Sequence, residues 1–316
     1  MNRPRPGILV SPNLPAAVKA ELAALGELSE CGLSPDSVFT GSPDVLALEA
    51  MEPLAEDTIL RLPASVGLIA NLGVGFDNID LKAARRAGIA VSNTPVVTED
   101  TADLAMALIL SACRRMTNYE RLLRAERWLE SERPCHLGSS VHGKVLGIVG
   151  FGAVGQALAR RARAFSMEIL YHGPNEKPAA ARAIPATYCE DLAVLLRDAD
   201  VVSLNCPLNA ETRHLLDGRR LRQMKRDAVL INTGRGPLVD EAALLDALRN
   251  GRLAAAGLDV FEREPEVPRE LISLSNVTLL PHVGSATVEC RLAMCECLTK
   301  NVRAFIETGQ PIDRVS

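Results

Sequence analysis

Three glycines in the pattern Gly-x-Gly-x-x-Gly stand directly between an aliphatic run at 145–149 and an alanine-rich helical segment. They are Gly150, Gly152 and Gly155. In this arrangement the first glycine makes a tight turn, the second lets the backbone approach a pyrophosphate, and the third allows close packing of helix on strand. The N–H groups at the start of the helix attract phosphate. The pattern therefore predicts dinucleotide binding at the edge of an open sheet, rather than a turn with only a structural use.

Short β-rich runs recur along the whole chain, with helical stretches between them. Such alternation is typical of parallel sheets covered by helices on both faces. The predicted fold class is therefore α/β, with two doubly wound domains because a chain of 316 residues exceeds one ordinary core. The predicted strands are 8–10, 45–48, 68–70, 90–91, 145–149, 169–171, 201–204, 229–232, 255–258 and 277–280.

Charge and hydropathy exclude several classes of protein. The net charge of -4 is small and evenly spread, so we expect no nucleic-acid partner. Arg3 and Arg5 precede only a short apolar stretch, which is not a signal peptide, and no apolar run is long enough and unbroken enough to span a bilayer. We therefore expect no membrane partner.

The cysteines indicate a reducing compartment. Eight of them occur without a regular framework, which is typical of reduced thiols and favours a cytoplasmic location. Cys295 and Cys297 flank a single residue, as some metal ligands do. Because no histidine or second cysteine pair lies nearby in sequence to complete a tetrahedral site, we expect no metal.

Two segments before the glycines have a different character. The run 101–113 is apolar nearly all round, and a helix of that kind must be buried, so we expect it between domains or subunits. The segment 127–142, with Trp128, Pro134 and Gly138, has no clear periodicity and is predicted to be an extended arm.

The end of the second strand of the dinucleotide motif normally carries a carboxylate that binds the adenosine ribose. None is present at Gly173, and Lys177 and Arg182 follow. The missing carboxylate removes repulsion of a 2′-phosphate, and the two cations attract one. The sequence therefore slightly favours NADPH as the cofactor. Two alternatives remain: Glu176 binds the ribose of NADH, or the two cations are solvated loop charges with no role in cofactor binding.

Three chemically capable side chains follow predicted strands at the edge where open parallel sheets bind ligands. They are Arg235, Glu264 and His282. A guanidinium binds a carboxylate with two parallel hydrogen bonds, and an imidazole donates protons near neutral pH. Glu264 is placed to pair with His282 and hold it protonated. Each residue alone is also explained by a purely structural role. Because all three occur together in a chain with a dinucleotide-binding turn, they predict hydride reduction of a 2-keto acid.

The sequence resembles the D-2-hydroxyacid dehydrogenase family over nearly its whole length. Within that family, 165–172 is most similar to glyoxylate and hydroxypyruvate reductases, many of which use NADPH. Two departures from the family pattern are Ser166, where glycine is usual, and Gly173-Pro174, where a polar or basic pair is usual. The stretches that carry the resemblance are 73–80, 147–155, 206–208, 231–236, 257–265 and 281–285.

The resemblance implies a Rossmann cofactor domain, 99–286, inserted into a flavodoxin-like substrate domain made of 1–98 and 287–316. It implies a homodimer through the cofactor domain, with the apolar helix and the arm at Trp128 as contacts. Keto acid and nicotinamide would bind in the cleft between the domains. The backbone of Leu72, Gly73 and Val74 would hold the substrate carboxylate beside Arg235, with His282 also at the substrate. The implied cofactor contacts are Thr101, Gly150, Phe151, Gly152, Ala153, Val154, Gly155, His172, Gly173, Cys206, Pro207, Thr212, Thr233, Gly234, Arg235, Asp259, His282, Gly284 and Ser285.

We therefore predict reduction of a small unphosphorylated 2-keto acid of the glyoxylate or hydroxypyruvate type, with NADPH or NADH. Glu264 argues against the similar formate dehydrogenases, which carry glutamine there. Glu49 argues against the phosphoglycerate dehydrogenases, because a carboxylate repels a phosphorylated substrate. The alternatives are a dehydrogenase for a bulkier or phosphorylated 2-hydroxy acid, and an NAD-binding corepressor-like scaffold, which shares the fold.

Overall fold

A computed structural model describes residues 5–34, 36–131, 133 and 137–315. The chain divides into two compact units. Unit 1 comprises Met1–Val97 and Ala286–Ser316, and unit 2 comprises Thr98–Ser285. The predicted arm belongs to unit 2, and part of it, Pro134 included, lies outside the described residues. The roles of the units as substrate and cofactor domains stay predictions.

The strands and helices alternate along most of the chain. The strands are β1 Gly7–Val10, β2 Glu27–Glu30, β3 Val45–Glu49, β4 Leu68–Leu72, β5 Ala90–Ser92, β6 Val145–Val149, β7 Glu168–His172, β8 Thr187–Tyr188, β9 Val201–Leu204, β10 Val229–Asn232, β11 Ala255–Leu258 and β12 Val277–Leu279. The helices are α1 Ala16–Leu25, α2 Glu56–Ile59, α3 Leu81–Arg86, α4 Thr98–Arg114, α5 Met116–Arg124, α6 Ala153–Ala164, α7 Pro178–Ala183, α8 Leu192–Asp198, α9 Gly218–Leu221, α10 Glu241–Arg249, α11 Arg269–Ser273 and α12 Val288–Thr308.

Unit 1 is a five-stranded parallel sheet in the order β2-β1-β3-β4-β5, which is the flavodoxin-like order. Successive side chains of a strand point to opposite faces, so Val45 packs with α1 and α12 on one face and Leu46 packs on the other. Both faces are covered, which is why the inner strands β1, β3 and β4 are largely apolar. Since α12 comes from the C-terminal segment, unit 1 is complete only when both of its chain segments are present.

Unit 2 is a seven-stranded parallel sheet in the order β12-β11-β10-β9-β6-β7-β8. The strand order reverses beside β6, as in the Rossmann fold, and ligands bind at such a reversal, outside the carboxyl ends of the strands. Ile148 packs under α4 and α6, whereas Leu204 and Leu230 pack on the opposite face. The glycines that follow β6 therefore lie at the reversal point.

The helix predicted from the apolar run is α4, and it packs on the sheet of its own unit. Leu108 of α4 lies directly over β11, since a Cβ atom added at Gly257 would be 3.2 Å from the Leu108 Cβ. Ala107 and Asp103 are exposed. Within the single chain, α4 is therefore buried on the side that faces the sheet and exposed on the opposite side, so its predicted burial between subunits stays a prediction.

In the part of the chain that the structure describes, no helix is long and apolar enough to cross a membrane. The seven described cysteines are free thiols.

Candidate active site

The glycine turn after β6 needs glycine at two positions for steric reasons. Gly150 has a positive φ of 98°, and a Cβ atom there would be 2.5 Å from the backbone nitrogen of Cys206. A Cβ atom at Gly155 would be 2.3 Å from the Gly150 carbonyl oxygen, so this glycine lets α6 approach the turn. A Cβ atom at Gly152 would meet no atom within 4 Å. The space over Gly152, at the start of α6, is therefore free for a ligand to approach the backbone.

Aromatic stacking and a hydrogen bond fix the neighbouring strand end. Phe151 is buried and stacks on Tyr171 with ring centroids 4.2 Å apart. His172 Nδ1 lies 2.9 Å from the carbonyl oxygen of Cys189. If that nitrogen carries the proton, Nε2 of His172 is left as an acceptor. These contacts hold the end of β7 beside the glycine turn.

The segment after β7 is open where a ribose-binding carboxylate is usual. The Gly173 carbonyl accepts a hydrogen bond from the Tyr188 hydroxyl at 3.1 Å, and a Cβ atom at Gly173 would meet nothing within 4 Å. Lys177 and Arg182 are exposed. Neither forms an ion pair with any residue that the structure describes. Their charges are therefore available to an anion from solvent.

The loop after β9 is closed by a threonine hydroxyl. Thr212 Oγ1 donates to the Pro207 carbonyl at 2.8 Å and accepts the Asn209 N–H at 2.8 Å. Cys206 begins the loop, and burial raises the pKa of its thiol to about 11. The Cys206 side chain is therefore a neutral thiol at physiological pH.

Two buried polar atoms at adjacent strand ends lack a hydrogen-bond partner in the described part of the protein. They are Asn205 Nδ2, just after β9, and Thr233 Oγ1, just after β10. Gly150 lies against Asn205, since its Cβ atom would be 2.6 Å from the Asn205 carbonyl carbon. An unpaired buried polar group costs about 1–3 kcal/mol. The open backbone at Gly152 and the polar residues at these strand ends together fit a bound dinucleotide.

Arg235 sits on a turn that Asn232 organises. Asn232 Nδ2 donates to the Arg235 carbonyl at 2.9 Å, and Asn232 Oδ1 accepts the Gly234 N–H at 3.1 Å. A Cβ atom at Gly236 would lie 1.9 Å from the Phe261 carbonyl group, which no side chain permits. The loop that carries Arg235 is therefore pressed against the loop that carries Glu264.

Glu264 and His282 form a hydrogen-bonded pair. Glu264 Oε2 lies 2.7 Å from His282 Nδ1, and Glu264 Oε1 accepts the Phe261 N–H at 2.8 Å. The His282 ring therefore turns Nε2 away from the carboxylate. Burial works against ionisation of Glu264, but the His282 and Phe261 hydrogen bonds and the charges of His282 and Arg235 hold the pKa of Glu264 below its usual value. Arg235, Glu264 and His282 are thus electrostatically coupled within unit 2.

The backbone at His282 is fixed by a buried aspartate. His282 has a φ of 54°, in the left-handed region, and its N–H donates to the Asp259 carbonyl at 2.8 Å. The Asp259 carboxylate accepts the N–H groups of Val283 and Gly284, each at 2.8 Å, and burial raises the pKa of Asp259. Thr101 Oγ1 donates to the Gly284 carbonyl at 3.3 Å. Asp259 and Thr101 therefore both hold the turn that orients His282.

The remaining predicted cofactor contacts lie at the start of α6 and at the end of unit 2. They are Ala153, Val154 and Ser285.

The structure contains a second histidine–glutamate pair, which the sequence did not predict. His214 Nε2 lies 2.7 Å from Glu262 Oε1, and Arg213 Nη2 is 3.7 Å from the same oxygen. Glu262 is two residues before Glu264, so this pair braces the loop that carries the carboxylate partner of His282. No motif spacing marks it, because the two residues are distant in sequence.

The predicted substrate-binding backbone belongs to unit 1, whereas the three catalytic candidates belong to unit 2. Leu72 ends β4, and Gly73 and Val74 follow it. A Cβ atom at Gly73 would be 2.3 Å from the Ala50 Cβ, so glycine lets this loop approach the segment after β3. Val74 is exposed.

Comparisons with known proteins agree on one family. A sequence model described as "D-isomer specific 2-hydroxyacid dehydrogenase, NAD binding domain" matches residues 106–284. The chain is 44% identical to a glyoxylate reductase of Thermococcus litoralis, over 86% of this chain and 85% of the relative. It is 40% identical to a glyoxylate/hydroxypyruvate reductase B of Escherichia fergusonii, over 96% and 95%.

A solved structure is similar over nearly the whole chain. It is the NADPH-dependent glyoxylate/hydroxypyruvate reductase of Sinorhizobium meliloti, in complex with NADP and malonate. The match has a TM-score of 0.91 and 36% sequence identity, and it covers 99% of this chain and 97% of the other.

Proposed function

Because the chain belongs to the D-isomer-specific 2-hydroxyacid dehydrogenases, we propose that it reduces a small 2-keto acid to the D-2-hydroxy acid, with a nicotinamide cofactor. The similar proteins of T. litoralis, E. fergusonii and S. meliloti are named as reductases of glyoxylate or of glyoxylate and hydroxypyruvate. The proposed substrate class is therefore an unphosphorylated acid of that size.

The observation that carries the proposal is the Glu264–His282 pair next to Arg235. Glu264 accepts the Nδ1 proton of His282 and leaves Nε2 to act on a substrate. Arg235 supplies a planar cation that matches a carboxylate. One fixed cation and one proton donor are what the reduction of a 2-keto acid requires.

Each of the three side chains then has one task. Arg235 binds the carboxylate of the keto acid, and His282 donates a proton from Nε2 to the carbonyl oxygen as negative charge develops there. Glu264 orients the His282 ring and balances its positive charge. A bound reduced nicotinamide dinucleotide supplies the hydride.

For the cofactor we propose NADPH in preference to NADH. The segment after β7 has no carboxylate at Gly173 to repel a 2′-phosphate, and the exposed cations Lys177 and Arg182 follow. The S. meliloti relative was solved with NADP. Glu176, also exposed, is the residue that would serve NADH instead.

We propose that Glu49 of unit 1 excludes phosphorylated substrates. Glu49 ends β3 and pairs in register with Leu72 of β4. Its carboxylate accepts the Met51 N–H at 2.7 Å and so stays at this sheet edge. A fixed negative charge beside the loop after β4 disfavours a substrate that carries a phosphate.

We also propose a cytoplasmic homodimer that forms through unit 2. Leu123, Trp128 and Leu129, on α5 and the turn after it, are 56%, 65% and 84% exposed. Neighbouring apolar side chains that lie open to solvent mark an interaction surface. The free thiols of the seven described cysteines are consistent with a reducing compartment.

The test is the absorbance of reduced nicotinamide with a panel of glyoxylate, hydroxypyruvate, pyruvate and 3-phosphohydroxypyruvate, run with NADPH and with NADH. We expect rapid oxidation with glyoxylate and hydroxypyruvate, a higher kcat/KM with NADPH, and little activity on the phosphorylated acid. Absence of oxidation of either cofactor with every acid would contradict the proposed function.

A further inference from the structure

One histidine connects three of the loops that follow strands of the unit 2 sheet. His214 belongs to the loop after β9. Its backbone N–H donates to the Pro237 carbonyl at 2.7 Å, in the loop after β10 that carries Arg235. Its ring Nε2 lies 2.7 Å from Glu262 Oε1, in the loop after β11 that carries Glu264. His214 therefore ties together the loops of two catalytic candidates.

The backbone at His214 has an unfavourable conformation. Its φ is 49°, in the left-handed region, which is costly for a residue with a Cβ atom. Such a conformation persists where the surrounding contacts determine it, and it is often found at functional sites. Two residues on, the Leu216 N–H donates to the Leu238 carbonyl at 3.0 Å, and the Asp240 N–H donates to the Leu216 carbonyl at 3.1 Å. This pairing with the loop after β10 fixes the backbone from which the His214 ring extends.

The hydrogen bond between His214 and Glu262 has a defined direction. A carboxylate only accepts hydrogen bonds, so Nε2 of His214 carries the proton and donates it to Glu262 Oε1. Arg213 adds a weaker attraction, since its Nη2 is 3.7 Å from the same oxygen. The loop after β9 therefore holds the Glu262 side chain.

Glu262 directly follows the residue that orients Glu264. The Phe261 N–H donates to Glu264 Oε1 at 2.8 Å, and the Glu262 N–H donates to Glu241 Oε2 at 3.3 Å. The other carboxylate oxygen of Glu264 lies 2.7 Å from His282 Nδ1. A displacement of Glu262 would therefore move the Phe261 N–H and, through Glu264, the His282 ring.

We propose that His214 is a positioning residue for proton transfer, which acts through Glu262 to hold Glu264 in place against His282. This inference rests on the proposed function. A proton donor has to be held close to its productive position, and hydrogen bonds from surrounding residues provide that precision. His214 supplies such a bond from the loop of a different strand. Its effect on the reaction therefore depends on the presence of Glu264.

The test is the kcat of full-length His214→Ala with glyoxylate and saturating NADPH. A misplacement of about 1 Å costs about a hundredfold in rate, and the Phe261 hydrogen bond still restrains Glu264, so we expect kcat to fall by roughly tenfold. Alanine keeps the backbone N–H that holds the Arg235 loop. The KM for glyoxylate and the dissociation constant of NADPH should therefore stay within about twofold. His214→Gln, which restores a side-chain N–H donor, should recover most of the lost kcat.

A double-mutant cycle tests the route of the effect. If His214 acts through Glu264, the protein with both His214→Ala and Glu264→Ala should have the kcat of Glu264→Ala alone, within about twofold. A general structural loss would lower kcat in either background. Two losses that multiply would therefore overturn the inference.

The matched control is Lys225→Ala, which removes another ion pair of unit 2. Lys225 Nζ lies 2.8 Å from Asp200 Oδ1, and the two side chains are 35% and 18% exposed. The corresponding values for His214 and Glu262 are 39% and 22%. Because Asp200 directly precedes β9, the control pair lies at the amino edge of the sheet, opposite to the loops that carry the catalytic candidates. Lys225→Ala should keep the wild-type kcat.

The inference and the proposed function fail in different ways. A His214→Ala protein with the kcat of the control would overturn the inference, while keto-acid reduction by wild type would leave the proposed function intact. Wild-type protein without keto-acid reduction would remove the proposed function instead.

A second variant covers the case in which His214→Ala does not fold. Glu262→Ala removes the same hydrogen bond from the other side and leaves the backbone at His214 unchanged. Its kcat should also fall by roughly tenfold. A Glu262→Ala protein with the kcat of Lys225→Ala would overturn the inference.

Discussion

At the scale of single residues, the chemistry depends on side chains whose neighbours leave them one orientation. His282 is fixed at Nδ1 by Glu264 and in its backbone by Asp259. Arg235 extends from a turn that Asn232 closes. Because the protein itself supplies these contacts, little reorganisation is needed when substrate binds.

Arg235 is predicted to bind the substrate carboxylate with two parallel hydrogen bonds. Arg235→Lys keeps the charge but loses that geometry, so the KM for glyoxylate should rise by roughly tenfold or more and kcat should fall. Initial-rate kinetics provide the measurement, with Arg219→Lys at an exposed position of α9 as the control. Equal KM values in the two variants would remove Arg235 from the carboxylate site.

Glu264 gives a pH-dependent prediction. Its pKa in the folded protein is held below the ordinary value of 4.5, so the ionised carboxylate stabilises the fold above that pH. This stabilisation is lost as the pH falls through the lowered folded-state pKa. The urea midpoint of wild type minus that of Glu264→Gln should shrink as the pH falls below about 4.5. A difference that does not change with pH would contradict the pairing, and Glu270→Gln at an exposed position is the control.

At the scale of elements, the strands that the sequence predicted are the buried ones. The two missed strands, β2 and β8, lie at the outer edges of their sheets. β2 reads Glu-Leu-Ser-Glu and is largely exposed, and β8 has only two residues. An edge strand can be polar and short because it pairs on one side, so neither hydropathy nor periodicity marks it.

The site was predictable to the extent that it follows strand ends. Gly150 stands directly after a predicted strand, Arg235 and His282 follow predicted strands within three positions, and the residue types suggest their chemistry. The residues that support them were not predictable: Asp259 binds the backbone N–H groups of Val283 and Gly284, and His214 pairs with Glu262 across 48 positions. Such contacts depend on the three-dimensional course of loops, which leaves no periodic signal in sequence.

Ser166, which departs from the family pattern, connects α6 to β7 in a left-handed conformation with φ of 57°. That conformation destabilises the folded state by about 1–2 kcal/mol for a residue other than glycine. Glycine removes this strain, but it also raises the conformational entropy of the unfolded chain, which offsets part of the stabilisation. Ser166→Gly should therefore stabilise the protein by roughly 0.5–1 kcal/mol in urea unfolding. Ser131→Gly, at a φ of -64°, should not stabilise it. A Ser166→Gly protein less stable than wild type would contradict the account of strain.

At the scale of the whole molecule, the chain leaves unit 1 at Val97 and returns at Ala286. The returning helix α12 places Met294, Leu298 and Val302 in the core of unit 1. Local sequence patterns did not indicate this insertion, because each segment reads as ordinary α/β. Only the resemblance to a family implied it.

The proposed homodimer gives a prediction at the same scale. Sedimentation equilibrium should give twice the chain mass of 33.9 kDa for wild type. Leu129→Glu places a charge on the exposed apolar surface at α5 and should shift the protein toward monomer. Val38→Glu, at an exposed apolar position of unit 1, is the control and should stay dimeric. A monomeric wild type, or a dimeric Leu129→Glu protein, would contradict this interface.

The central claim is that His282 donates the proton in keto-acid reduction, and kcat of His282→Ala with glyoxylate and NADPH tests it most directly. General acid catalysis contributes about a hundredfold to ten-thousandfold, so kcat should fall by that factor while the dissociation constant of NADPH stays within about twofold. His142→Ala, in an exposed turn of unit 2, should retain wild-type kcat. A His282→Ala protein with kcat within about twofold of wild type would contradict the account.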